Sequence, residues 1–167
     1  YLLGDSMGGA VLLASLSHNP GLQDVSGMVL VAPAVWGRDT MNPFQRWLLW
    51  LGAHTLPALE LSGDGLHIKP SDNIEMLRAL GRDPLVIKKT RIDALSGLAD
   101  LMDEAAASVP RLRGKVLIHL GSHDEVIPKR PTCQMLAKLA DRTEQQPRVV
   151  MYPEGYHMLT RDLRADI

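Results

Sequence analysis

The chain is predicted to be an α/β protein: a mostly parallel sheet with flanking helices, into which a helical segment is inserted. Three observations carry this. Short apolar runs bounded by Gly or Pro recur at 27–32, 116–120 and 148–152, the pattern of strands buried on both faces. Helical spacing fills the intervals between them, and strand alternating with helix implies parallel pairing through right-handed crossovers. The long stretch from about Trp36 to Arg113 has no strand-like run, and it reads as a helical cap inserted between the second and third strands.

Taken in order, Tyr1-Leu2-Leu3 reads as the last residues of a buried strand. A parallel strand needs neighbours on both sides, so the sheet is expected to be truncated on its N-terminal side, with upstream sequence missing. Gly4-Asp5-Ser6-Met7-Gly8-Gly9 then turns that strand into a small-residue helix over Ala10–Ser17, which ends before Asn19-Pro20-Gly21. Gly27 to Ala32 is the second strand, halted by Pro33. Within the insertion, Asn42-Pro43 gives an N-cap followed by proline at the first helical position, and Phe44, Trp47, Leu48 and Leu51 recur at helical spacing. Asp72 to Glu75 resembles a capping box opening a helix that Gly81 closes. Ile92, Leu95, Ala99, Met102 and Ala106 mark one face of a longer helix ended by Pro110. Val116–Leu120 forms the third strand, Thr132–Ala140 a helix, and Arg148–Tyr152 the fourth strand. Residues 1–35 and 114–167 are therefore assigned to the core and 36–113 to the cap.

Bulk composition narrows the function classes. The 167 residues are 46% hydrophobic and 22% charged, which is globular composition with enough apolar material for one sizeable core. Net charge is -1 and pI about 6.6, with the basic residues scattered, so a nucleic-acid face and a polybasic anchor are excluded and a small-molecule partner is favoured. The single cysteine, Cys133, rules out an internal disulfide and fits a reducing, cytoplasmic compartment. No run is long and apolar enough to span a bilayer.

Chemistry concentrates at Ser6. A serine held between glycines at a strand-to-helix turn has its hydroxyl exposed, and the turn requires its neighbours to vanish; Gly4 and Gly8 are expected to supply that room. The following helix aims its first amide, that of Met7, at the place where negative charge develops in acyl transfer. Serine is a weak nucleophile until an imidazole takes its proton, and the imidazole must be held in one tautomer by a carboxylate. Of six histidines, His18 precedes a turn, His54 and His67 lie in the cap, His119 is inside a strand, and His123 adjoins Asp124. Only His157 follows every strand, in Pro153-Glu154-Gly155-Tyr156-His157-Met158. Asp124, in the loop Gly121 to Pro128 after the third strand, is the natural acid; its neighbour Glu125 is expected to be solvated or to pair locally. The histidines and acids show no metal-ligand spacing and the glycines form no phosphate or dinucleotide loop, so no metal and no cofactor is implied.

The elbow Gly4 to Gly9, the strand end Val31-Ala32-Pro33-Ala34, the segment Arg82-Asp83-Pro84-Leu85, the acid loop and Tyr152 to Leu159 together resemble the α/β-hydrolase superfamily, more narrowly the monoacylglycerol lipase and lysophospholipase-like serine hydrolases. The resemblance covers nearly the whole chain. It implies Ser6 as nucleophile, Asp124 as acid, His157 as base and the Met7 N–H as one oxyanion donor. It also implies a second donor in a loop upstream of Tyr1. Losing one such donor costs about a hundred- to thousandfold in rate, so the chain by itself is expected to be nearly inactive and the activity to belong to a longer protein.

All three tryptophans and the only phenylalanine lie between Trp36 and Trp50. The apolar face formed by Trp36, Phe44, Trp47 and Trp50 reads either as a lid surface for an acyl chain or peripheral membrane contact, or as close packing on the domain beneath. The expected function is hydrolysis of carboxylic esters, with monoacylglycerols or lysophospholipids as first choice of substrate. The alternatives are a peptidase or amidase of the same fold, and a hydrolase-fold protein that binds a small apolar ligand without turnover. A peptidase would be favoured by an acidic cluster in the cap, whereas Glu60, Asp64, Asp72 and Glu75 are dispersed.

Overall fold

The computed structural model describes residues 1–63, 65–140 and 146–165. Strand β1 (Leu2–Asp5) runs into helix α1 (Met7–His18), and strand β2 (Met28–Val31) follows after a 3₁₀ turn. The inserted stretch contains α2 (Pro43–Thr55), β3 (Glu60–Ser62), α3 (Ile74–Arg82), β4 (Lys89–Arg91) and α4 (Ile92–Ser108). Strand β5 (Val116–Gly121), helix α5 (Lys129–Ala140) and strand β6 (Arg148–Tyr152) complete the core.

The main sheet has the order β1-β2-β5-β6 and every pair in it is parallel. Alternation along each strand decides which residues meet the helices. On β5, Val116, Ile118 and Leu120 are buried while Leu117 and His119 point to the other face. Leu30 and Ile118, both 0% exposed, sit in one core with Leu13 of α1, Ala105 of α4 and Met135 and Leu139 of α5. Each of these Leu, Ile and Met side chains contributes about 1.5–3 kcal/mol by leaving water. The opposite face carries Leu3, Val29, His119 and Tyr152, which line a cavity of about 580 Å³.

Two expectations about the insertion are corrected. It does contain strands: β3 and β4 pair as an antiparallel ribbon, too short to produce a recognisable apolar run. Its α3 opens at Asn73, whose side chain accepts from the Met76 amide, rather than through an Asp72–Glu75 capping box. Asp72 instead accepts from the Leu163 amide. Ala105, Val109 and Leu112, among the residues assigned to the cap, pack in the core beneath the sheet. There α4 packs against α1. At Asn42 the expected cap is present and is reciprocated by Gln45, forming a full capping box ahead of Pro43.

Arg38, just after β2, ties this insertion down. Its guanidinium donates to Asp100 and Asp103 of α4 at 2.7 and 2.6 Å. Partial burial pushes its pKa down, but the hydrogen bonds to Asp103 and Asp100 outweigh that and raise it, so the charge is permanent.

Candidate active site

The elbow is a point of backbone strain. Ser6 has φ 50° and ψ -113°, and Ala32, at the end of the neighbouring strand, has φ 41°. Non-glycine residues in such conformations cost about 1–3 kcal/mol each and persist only where the surroundings impose them. Here the Ser6 amide donates to Val31 O at 2.8 Å, and the Ser6 carbonyl accepts from the amides of Gly9 and Ala34 at 3.0 and 2.9 Å. A serine preceding a helix ordinarily caps it with its hydroxyl. Ser6 makes no such cap, and its Oγ lies 2.8 Å from His157 Nε2 instead. Met7, as the first residue of α1, has an amide with no carbonyl one turn earlier to accept its hydrogen.

The space around the elbow comes from a different pair of glycines than expected. A Cβ on Gly4 would stand 2.7 Å from Gly8 O and Gly9 N, and one on Gly9 would stand 2.8 Å from Pro33 Cβ, whereas one on Gly8 would meet nothing within 4 Å. Gly4→Ala is therefore expected to destabilise by about 1–3 kcal/mol. Gly8→Ala is expected to be neutral or to stabilise by up to about 1 kcal/mol, because it sits within α1. Chemical denaturation of the two variants side by side checks the contrast, and equal losses would refute it.

His157 is 7% exposed and closes a chain of hydrogen bonds. Its Nδ1 lies 2.8 Å from Asp124 Oδ2. A carboxylate only accepts, so Nδ1 carries the proton and Nε2 is left to accept from Ser6 Oγ. Asp124 is itself fixed: its Oδ1 accepts from the amides of Val126 and Ile127 at 2.8 and 2.9 Å. The acid and histidine loops are also laced together, through Ser122 N to Tyr152 O at 3.0 Å and His123 N to Gly155 O at 2.9 Å. Ser6 and His157, 151 residues apart in sequence, thus lie in one hydrogen-bonded line with Asp124.

The other candidate residues fall elsewhere. Glu125 is exposed, as expected, but pairs across the fold and not locally: its Oε2 accepts from the Lys69 amide at 2.7 Å, linking the acid loop to the insertion. Asp64 lies outside the described residues, and Glu60 sits in β3. His119 hydrogen-bonds the Tyr152 hydroxyl at 2.9 Å on the outer sheet face, and Cys133 is exposed on α5. Phe44, Trp47 and Trp50 are 63%, 52% and 57% exposed, and α2 has no buried residue. Close packing on the domain beneath does not account for them. Phe44 stacks on Trp47 and Trp50 tilts against His54, while Trp36, before α2, is half-buried. Sequence reading missed Asp162 and Ser71, buried and joined by a 2.6 Å hydrogen bond. Neither stands in a motif, and only their burial marks them.

A four-stranded parallel sheet whose first strand ends in a strained serine elbow places the chain among the α/β-hydrolases. It belongs to the Hydrolase_4 family, described as serine aminopeptidase, S33, whose model matches residues 1–164. Human monoglyceride lipase is 25% identical over 167 residues, covering 98% of this chain and 52% of its own length. Among solved structures, the monoacylglycerol lipase of Paleococcus ferrophilus superposes with a TM-score of 0.76 at 21% identity, over 97% of this chain and 61% of that one. A soluble variant of the Saccharomyces cerevisiae monoglyceride lipase, solved with a substrate analogue, gives 0.74 at 18% identity, over 99% and 59%. The chain thus spans about half the length of the curated relative it matches.

Proposed function

We propose that this chain supplies the nucleophile, acid and base of a serine ester hydrolase acting on monoacylglycerol- or lysophospholipid-type substrates. The single observation behind this reading is the line Ser6 Oγ, His157 Nε2, His157 Nδ1, Asp124 Oδ2, with both links at 2.8 Å. In the first half-reaction Ser6 Oγ forms a bond to the ester carbonyl carbon while His157 Nε2 takes the hydroxyl proton. The oxyanion is stabilised by the Met7 amide at the head of α1. His157 returns the proton to the leaving alkoxide as the C–O bond breaks. A water, deprotonated by His157, then releases the acid and restores Ser6. Asp124 stays ionised and holds the imidazolium.

The lipid part of the reading rests on the names of the relatives and on the exposed aromatics of α2, which we assign to acyl-chain or peripheral membrane contact within a cap spanning much of residues 36–113. The family's description as a serine aminopeptidase keeps a peptidase reading alongside it, since one triad serves both reactions. A fluorophosphonate probe applied to the full-length protein tests the nucleophile. Labelling of the parent and none of Ser6→Ala is the expected result, and equal labelling of both would sink the assignment. A chain-length series of p-nitrophenyl esters, run beside aminoacyl-p-nitroanilides, tests the substrate. Preference for acetate, or faster anilide cleavage, would overturn the lipid reading, and no turnover of any substrate by a labelled protein would favour a binder.

A further inference from the structure

The acid loop and the histidine loop are held by a common segment of the insertion. The Lys69 amide donates to Glu125, the residue after Asp124, at 2.7 Å, and Pro70 O accepts from Met158, the residue after His157, at 2.9 Å. Next to them, Ser71, 0% exposed, donates its hydroxyl to Asp162 Oδ1 at 2.6 Å. The other oxygen of Asp162, itself 8% exposed, accepts from the amide of Tyr156, the residue before His157, at 2.8 Å. Asn73 extends the same seam, its amide donating to Ser71 Oγ at 3.1 Å and its side chain to Arg161 O at 3.2 Å.

We propose that residues 69–73 form a strap, anchored by the buried Ser71–Asp162 pair, that sets the position of His157 relative to Asp124, with Ser71 and Asp162 as positioning residues. The proposal rests on the triad reading above. A buried carboxylate and hydroxyl are costly unless each meets a partner, and these two meet each other and the backbone of the histidine loop. The backbone on both sides of His157 is thereby fixed, through Tyr156 N on one side and Met158 N on the other. The backbone of His157 is thus held where its imidazole reaches both Asp124 and Ser6. Because the strap belongs to the insertion, cap and base are mechanically joined.

The test compares Asp162→Asn, Ser71→Ala and the control Ile118→Val in the full-length protein, using steady-state ester hydrolysis well below each Tm and the downfield NMR resonance of the His157 Nδ1 proton. Asp162→Asn removes one of two acceptors with little change of shape, and Ser71→Ala leaves the Asp162–Tyr156 contact in place. Both are expected to lower kcat by roughly 10- to 100-fold with KM little changed, and to shift or broaden the resonance. Ile118→Val destabilises the core away from the strap and is expected to do neither. The proposal is overturned if kcat in the strap variants stays within about threefold of the control, a range far short of what a misplaced base costs. An altered KM at unchanged kcat would overturn it equally. Should Asp162→Asn not fold, Ser71→Ala decides by the same readouts. Failure of the parent itself to be labelled at Ser6 would instead strike the triad reading, so the two failures are separable.

Discussion

Replacing His157 with alanine in the full-length protein is expected to lower kcat by about a million-fold while leaving substrate binding largely intact. The reason lies in how the site divides its labour. Ser6 Oγ has one proton acceptor in line, His157 Nε2 at 2.8 Å. Without it the hydroxyl stays protonated at neutral pH, and the strained elbow presents an inert alcohol. Removing Ser6 as well is expected to add little, because nucleophile and base act as a unit. Asp124→Asn is expected to cost about 10⁴-fold, through the tautomer. An amide can donate to Nδ1, which moves the imidazole proton to Nε2, where it faces the serine hydroxyl instead of accepting from it. Pre-steady-state measurements with an activated ester check both, and a His157→Ala enzyme within tenfold of the parent, a factor worth only about 1.4 kcal/mol, would remove His157 from the mechanism.

Gly121→Ala is expected to be strongly damaging. A Cβ at this position would run into the carbonyl oxygens of Tyr156 and, at 2.5 Å, Gly155. Both are backbone atoms and cannot swing aside as a side chain would. One of the two loops must therefore move, and they carry Asp124 and His157. Overpacking of this kind costs about 3 kcal/mol, near the upper end of its range. In a domain of this size that lowers Tm by roughly 6–12 °C. The same displacement is expected to cut kcat by roughly 100-fold, since errors of about 1 Å in the placement of a base are felt on that scale. Differential scanning together with hydrolysis assays tests both halves, and an unchanged Tm would show that the loops yield more easily than their packing implies.

The sheet was legible because its strands are apolar runs ended by Gly or Pro, as in Met28–Val31 before Pro33 and Arg148–Tyr152 before Pro153. The serine, aspartate and histidine that the structure lines up were legible for a related reason: each stands directly after a strand, where local rules and topology agree. The short ribbon of β3 and β4 was not, since three residues of Glu-Leu-Ser or Lys-Thr-Arg carry no periodicity. Nor was the role of Gly9, whose crowding comes from Pro33, 24 positions away. Ser71 and Asp162 were hidden for the same cause. Their partnership spans 91 residues and arises from tertiary packing, and a lone serine before Asp-Asn looks like ordinary loop chemistry.

The uncapped helix behind Ser6 has a consequence for how this chain can change over time. A hydroxyl turned back onto α1 would add about 1 kcal/mol to the helix, and a glycine there would relieve the strained φ. Either adjustment would make the fold sturdier and, in the proposed triad, leave His157 with nothing to deprotonate. Under the proposed function, durability and turnover therefore pull in opposite directions at one atom. Sturdiness in this molecule has to be gained elsewhere, in the helices beneath the sheet, where no reacting group is touched.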